Sequence, residues 1–174
     1  MKPWPWLLAL GALTSVSASA QQRPPPPGCT GAESRQFDFW VGRWDVYPTG
    51  KDNLVAHSLI ERLYQGCAIR ENWMPLKGGG GGSLNSYVPK EKIWRQTWVD
   101  SSGARVEFRG GIRGKAMVLE GPWAGSGPKG EDGIVRMTYT AGAGGSVRQQ
   151  GQVSLDGGKS WQPSFDFTYQ PAKI

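Results

Sequence analysis

An all-β fold, a ten-stranded antiparallel up-and-down barrel, is what the sequence predicts, and three observations predict it. Short runs rich in Val, Ile, Trp, Tyr, Phe and Thr alternate apolar with polar residues. Glycine-bearing turns such as Asp100-Ser101-Ser102-Gly103, Gly142-Ala143-Gly144-Gly145 and Asp156-Gly157-Gly158 separate them at hairpin spacing. Hardly any stretch carries helical periodicity. Ten strands result, over residues 42–48, 54–64, 67–75, 83–89, 92–99, 104–111, 115–121, 133–141, 145–155 and 160–170. A meander of this length has two edges, and closure into a barrel removes both.

The residues ahead of the strands set the compartment. Lys2, the apolar run Leu7 to Leu13 and the small residues ending Ala18-Ser19-Ala20 read as a secretory signal over 1–20 with an A-x-A cleavage site. That run is shorter than the ~20 residues a bilayer-crossing helix needs, so no transmembrane anchor is expected, and a periplasmic or secreted protein is. Residues 21–36 form a proline-rich leader built on Pro24 to Pro27, extended and solvated, and 37–174 form the barrel domain. Two cysteines in an oxidising compartment suggest a Cys29–Cys67 disulfide pinning the leader to a strand. No further Cys or His stands at ligand spacing, so no metal site or cofactor is expected.

The formal charge is +6, one less once Lys2 is removed, and its basic residues are dispersed singly. Dispersion of this kind serves solubility and gives no stripe for nucleic acid.

The most informative stretch is Phe37-Asp38-Phe39-Trp40-Val41-Gly42-Arg43-Trp44-Asp45-Val46, where an aromatic turn leads through Gly42-Arg43-Trp44 into the first strand. On these residues the chain resembles the calycin (lipocalin-like) superfamily, whose members open with a short helical turn and G-x-W. More narrowly, it is similar to a group of exported bacterial proteins of unassigned function with the same opening. That group continues as Tyr87, Trp94-x-Gln96-x-Trp98-x-Asp100-x-x-Gly103 here and closes as Ser154-x-Asp156-Gly157-Gly158-Lys159-Ser160-Trp161. The resemblance spans residues 37–170. It implies that Trp44 plugs the closed end, with Phe37, Phe39 and Trp40 capping it, and that a cation stacks on Trp44 for about 1 kcal/mol. The last strand supplies only Lys173, just past its end, so Arg148 or Arg136 would fill that role.

Three other motifs have simpler readings. Ser154 to Trp161 fits a sialidase-type Asp-box, but a propeller repeats its box and this chain has one, so it reads as a hairpin whose Asp156 bonds its own turn. Lys77 with Gly78 to Gly82 has the wrong order for a phosphate loop and reads as a mobile lip of the barrel mouth. His57, the single histidine, lies in strand two, too early for the axial ligand of haem-carrying barrels, and reads as structural.

Polar residues at strand centres are the candidates for lining a lumen: Glu61, Glu71, Asn72, Asn85, Tyr87, Gln96, Trp98 and Arg136. They point to a binding or carrier barrel for a small, largely apolar ligand. The alternatives are a structural or partner-binding barrel, and a hydrolase-type enzyme using a Glu61/Glu71 carboxylate pair. An outer-membrane barrel is disfavoured by charged residues in most strands.

Overall fold

The structure is a computed structural model and describes residues 28–173; the expected signal segment 1–20, residues 21–27 and Ile174 lie outside the described residues. Ten strands close into one antiparallel barrel: β1 (Gly42–Pro48), β2 (Ala56–Leu63), β3 (Ala68–Pro75), β4 (Gly81–Val88), β5 (Ile93–Asp100), β6 (Arg105–Arg113), β7 (Ala116–Trp123), β8 (Gly133–Ala141), β9 (Val147–Ser154) and β10 (Gln162–Pro171). Each strand pairs with its sequence neighbour, and β1 completes the circle against β10, with Trp44 opposite Ser58 on one side and Pro171 on the other. No helix among the described residues is long and apolar enough to cross a membrane.

Alternation assigns the two faces of the wall. Trp94, Gln96 and Trp98 of β5 point inward; Arg95, Thr97 and Val99 point outward. The outer face carries cross-strand ion pairs, Glu61 with Arg70, Arg148 with Asp166, and Glu120 with both Arg113 and Arg136. Such exposed pairs each add little stability, and they hold long side chains out of the lumen.

One end of the barrel is plugged by the segment before β1. Short 3-10 turns at Ala32–Arg35 and Asp38–Trp40 fold across the opening, and Phe37 and Trp40 are both wholly buried. Their rings stack 4.9 Å apart, with Tyr139 5.0 Å from Phe37 and 4.8 Å from Trp40. Trp94 Nε1 donates to Gln36 Oε1 at 3.1 Å, and Asp38 pairs with Arg35 and Arg62. The Cys29–Cys67 disulfide ties this segment to the β2–β3 turn rather than to a strand. The barrel unit therefore reaches back into the expected leader, through Cys29.

The plug departs from the resemblance's expectation only in its cation, since Trp44 is buried at this end with Phe37 and Trp40. Phe37 and Trp40 fill the end, while Trp44 stands beside them, its Nε1 donating to the Trp40 carbonyl at 2.9 Å. A Cβ at Gly42 would come within 3.1 Å of the Trp44 ring, so the space of the glycine in G-x-W is occupied by the indole. Among the described residues no cation stacks on Trp44, which instead meets the edge of Tyr169 at 6.2 Å. Arg148 is held outside by Asp166, and Arg136 stacks on Trp161, its guanidinium carbon 3.6 Å from the ring centroid.

The glycine run is also more than a lip, because Gly81 and Gly82 begin β4. A Cβ on Gly82 would sit 2.6 Å from the Glu71 carbonyl oxygen, and one on Gly81 2.6 Å from the Trp98 ring, so close packing requires glycine at both. The Ser154–Trp161 segment is a tight turn, as expected. Asp156 accepts hydrogen bonds from the Ser154 and Ser160 hydroxyls and from two backbone amides, which hold its carboxyl low, at about 2.

Candidate functional site

The loops between β1 and β2, β3 and β4, β5 and β6, β7 and β8, and β9 and β10 lie at the end opposite the plug, and the lumen there holds a cavity of about 160 Å³. Its rim is aromatic: Trp73, Trp98, Trp123, Phe165 and Phe167, all half-buried, come from the mouth-proximal ends of β3, β5, β7 and β10. Its floor is polar and buried, formed by Glu71, Gln96, Tyr139, Gln149 and Tyr169, with Met137 completing the wall. The Phe165 ring finds room because it faces Gly151, where a Cβ would come within 2.2 Å of it.

The floor is a hydrogen-bonded network. Ser83 Oγ donates to Glu71 Oε2 at 2.9 Å, Asn85 Nδ2 donates to Ser83 Oγ at 3.0 Å, and Gln96 Nε2 donates to Asn85 Oδ1 at 2.7 Å. Across the lumen Tyr169 Oη donates to Gln149 Oε1 at 2.6 Å and Gln149 Nε2 donates to Tyr139 Oη at 3.0 Å. Buried polar groups partnered in this way fix their own rotamers and define the shape of the floor.

Glu71 has its Ser83 hydrogen bond but no charge partner: it is 5% exposed, and no cation lines the cavity. Burial disfavours its charged form and raises its carboxyl to about 7, with the Ser83 hydrogen bond pulling the other way. Burial also pushes the Tyr139 and Tyr169 hydroxyls up, reinforced by the neighbouring Glu71 charge, so both stay protonated donors.

A stability consequence follows by linkage. The folded-state value lies above the unfolded 4.5, so the native protein holds this proton more tightly than the unfolded chain. The contribution is fully present below 4.5 and is lost as pH rises through 7, about 3 kcal/mol in all. Denaturant midpoints taken from about pH 5 to about pH 8.5 are expected to fall accordingly, and Glu71→Gln to flatten the profile; a flat wild-type profile would contradict the buried carboxyl.

Of the residues singled out in the sequence, Glu71, Gln96 and Trp98 line the cavity. Asn85 is fully buried behind it, bridging Ser83, Gln96 and the Ile69 carbonyl. Tyr87 packs against Trp94 toward the plug, 6.2 Å between rings. Glu61, Asn72 and Arg136 are on the outer wall: Glu61 opposes Arg70 while its neighbour Ile60 opposes Glu71, and Arg136 opposes Glu120. The Glu61/Glu71 pair is thus split by the wall, and no carboxylate dyad forms there. His57 is on the outside, 2.8 Å from Asp45. Among the described residues no group of three or more His, Cys, Asp and Glu side chains is placed to hold a metal ion.

Sequence reasoning missed Trp73, Trp123, Phe165, Phe167, Tyr139, Gln149 and Tyr169. The signal for one of them was present, since Trp73 stands two residues from Glu71 and shares its face. No family model and no curated protein matches the chain.

Proposed function

We propose that this protein is an exported binding or carrier barrel for a small, largely apolar molecule, seated among Trp73, Trp98 and Trp123 with one polar end on the floor. The cavity carries the reading. Protein interiors leave few voids larger than a water molecule, and this barrel keeps one of about 160 Å³ open at its mouth. A rim of flat apolar rings above convergent polar groups is the composition of a ligand pocket. Such a volume suits a single-ring molecule. The disulfide is compatible with a periplasmic or secreted location, and an outer wall laced with ion pairs suits water rather than lipid.

Calorimetric titration of the purified protein with ethylbenzene and 2-phenylethanol is the test. Saturable binding with one site per chain, accompanied by a change in tryptophan fluorescence, is expected. Absence of saturable binding by any single-ring probe would overturn the reading in favour of a structural barrel.

A further inference from the structure

Resting on that reading, we infer that the cavity takes a small organic cation, an amine whose ammonium group meets Glu71 while its hydrocarbon body lies against Trp73, Trp98 and Trp123. Three observations lead there. The first is the hydrogen-bond count of the floor. Both hydrogens of the Gln96 amide are directed at Asn85 Oδ1 and Ser83 Oγ, and those of Gln149 at the Tyr139 hydroxyl and Met137 Sδ. The Tyr169 and Ser83 hydroxyl hydrogens go to Gln149 and Glu71. The Tyr139 hydroxyl is directed at Met137 Sδ, so each of these donors has a partner within the lumen, and what the floor offers a ligand is acceptor oxygen; the complementary head is a donor.

The second is charge. A buried carboxylate ordinarily has a cationic partner, and among the described residues Glu71 has none: Ile60 of β2 opposes it, Ser83 of β4 bonds it, and the cavity it shares is lined further by Gln96 of β5, Tyr139 of β8, Gln149 of β9 and Tyr169 of β10. The arginines nearest in sequence to the floor, Arg70 on β3 and Arg136 on β8, face outward and are held by Glu61 and Glu120. A ligand ammonium supplies the missing positive charge. The third is the rim, whose flat rings take the hydrocarbon body, while Trp73, two residues from Glu71 on the same face of β3, also adds a ring that attracts cations.

The proposal predicts a sign for pH. An ammonium favours ionised Glu71, so the amine binds more tightly as the carboxyl loses its proton, whereas a ligand accepting a hydrogen bond from protonated Glu71 binds more weakly over the same interval. The experiment compares 2-phenylethylamine, 2-phenylethanol and ethylbenzene, which share one ring and one chain length. At about pH 8.5 the amine is expected to bind at least tenfold more tightly than the alcohol. The ratio is expected to shrink at about pH 5, where the amine keeps its charge and Glu71 does not, and to vanish in Glu71→Gln. Equal affinities of amine and alcohol at both pH values in the wild-type protein would overturn the cation inference while leaving the binding reading intact. Failure of all three to bind would overturn both. Because the wild-type pH comparison needs no variant, a misfolded Glu71→Gln would not obscure the result.

Discussion

Replacing Trp40 by alanine is expected to lower stability by about 3–5 kcal/mol, the range for removing a fully buried large aromatic side chain. Nothing nearby can move into the space easily. Phe37 stacks on one face of the indole, Tyr139 lies 4.8 Å away and Tyr169 6.3 Å, and all three are wholly or almost wholly buried themselves. The same tyrosines form part of the cavity floor, so their relaxation toward the vacated plug would loosen the Gln149 network and, with it, the proposed binding site. Trp40→Phe separates ring from indole nitrogen. The Trp40 Nε1 is buried without a hydrogen-bond partner, a cost of about 1–3 kcal/mol that phenylalanine does not carry. The phenylalanine variant is therefore expected to stay within about 1.5 kcal/mol of wild type. Chemical denaturation of the two variants checks both figures, and equal losses would show that ring volume is not what the plug depends on.

Breaking the Cys29–Cys67 bond is expected to cost about 4 kcal/mol, the loop-closure entropy restored to the unfolded chain for a separation of 38 residues. Part of the loss should be local. Without the bond, Cys29 keeps its backbone hydrogen bond to Gln65, and the plug keeps Asp38 with Arg62 and Trp94 with Gln36. Those polar ties are weaker than the packing they orient, so hydrogen exchange across Ala32–Trp40 should accelerate more than exchange in β5 through β8. A Cys29→Ser, Cys67→Ser double variant measured against the oxidised protein tests this. An unchanged midpoint would mean that the cross-link constrains nothing the unfolded chain would otherwise explore.

The strands were legible because their signal is local. Alternation in Arg95-Gln96-Thr97-Trp98 separates the two faces without knowledge of any neighbour, and the lumen residues it nominates do line the cavity. The same rule, applied to Val135, Met137 and Tyr139, already turns Arg136 outward. In β2 the rule fails, since Leu59, Ile60 and Leu63 put apolar groups on both faces and leave Glu61 undecided until its register against Arg70 is known. The rim was hidden for another reason. Whether Trp123 or Phe167 borders a void or packs solidly depends on which residues from other strands reach the same level, as Gly151 does for Phe165, and no single strand records that. The partner of Trp161 was equally non-local, because Arg136 reaches it from a different hairpin.

Because the segment that follows Gly28 and the last strand's end at Pro171 meet at the plugged pole, with Ala172 bonded to Arg43, the chain begins and finishes its wall on one side of the molecule. A surface tether attached next to Ala172 would hang from the base and present the aromatic opening to bulk solution. Conversely, insertions meant to obstruct that opening belong in the 123–133 or 48–56 turns, at the opposite pole from Arg43 and Pro171.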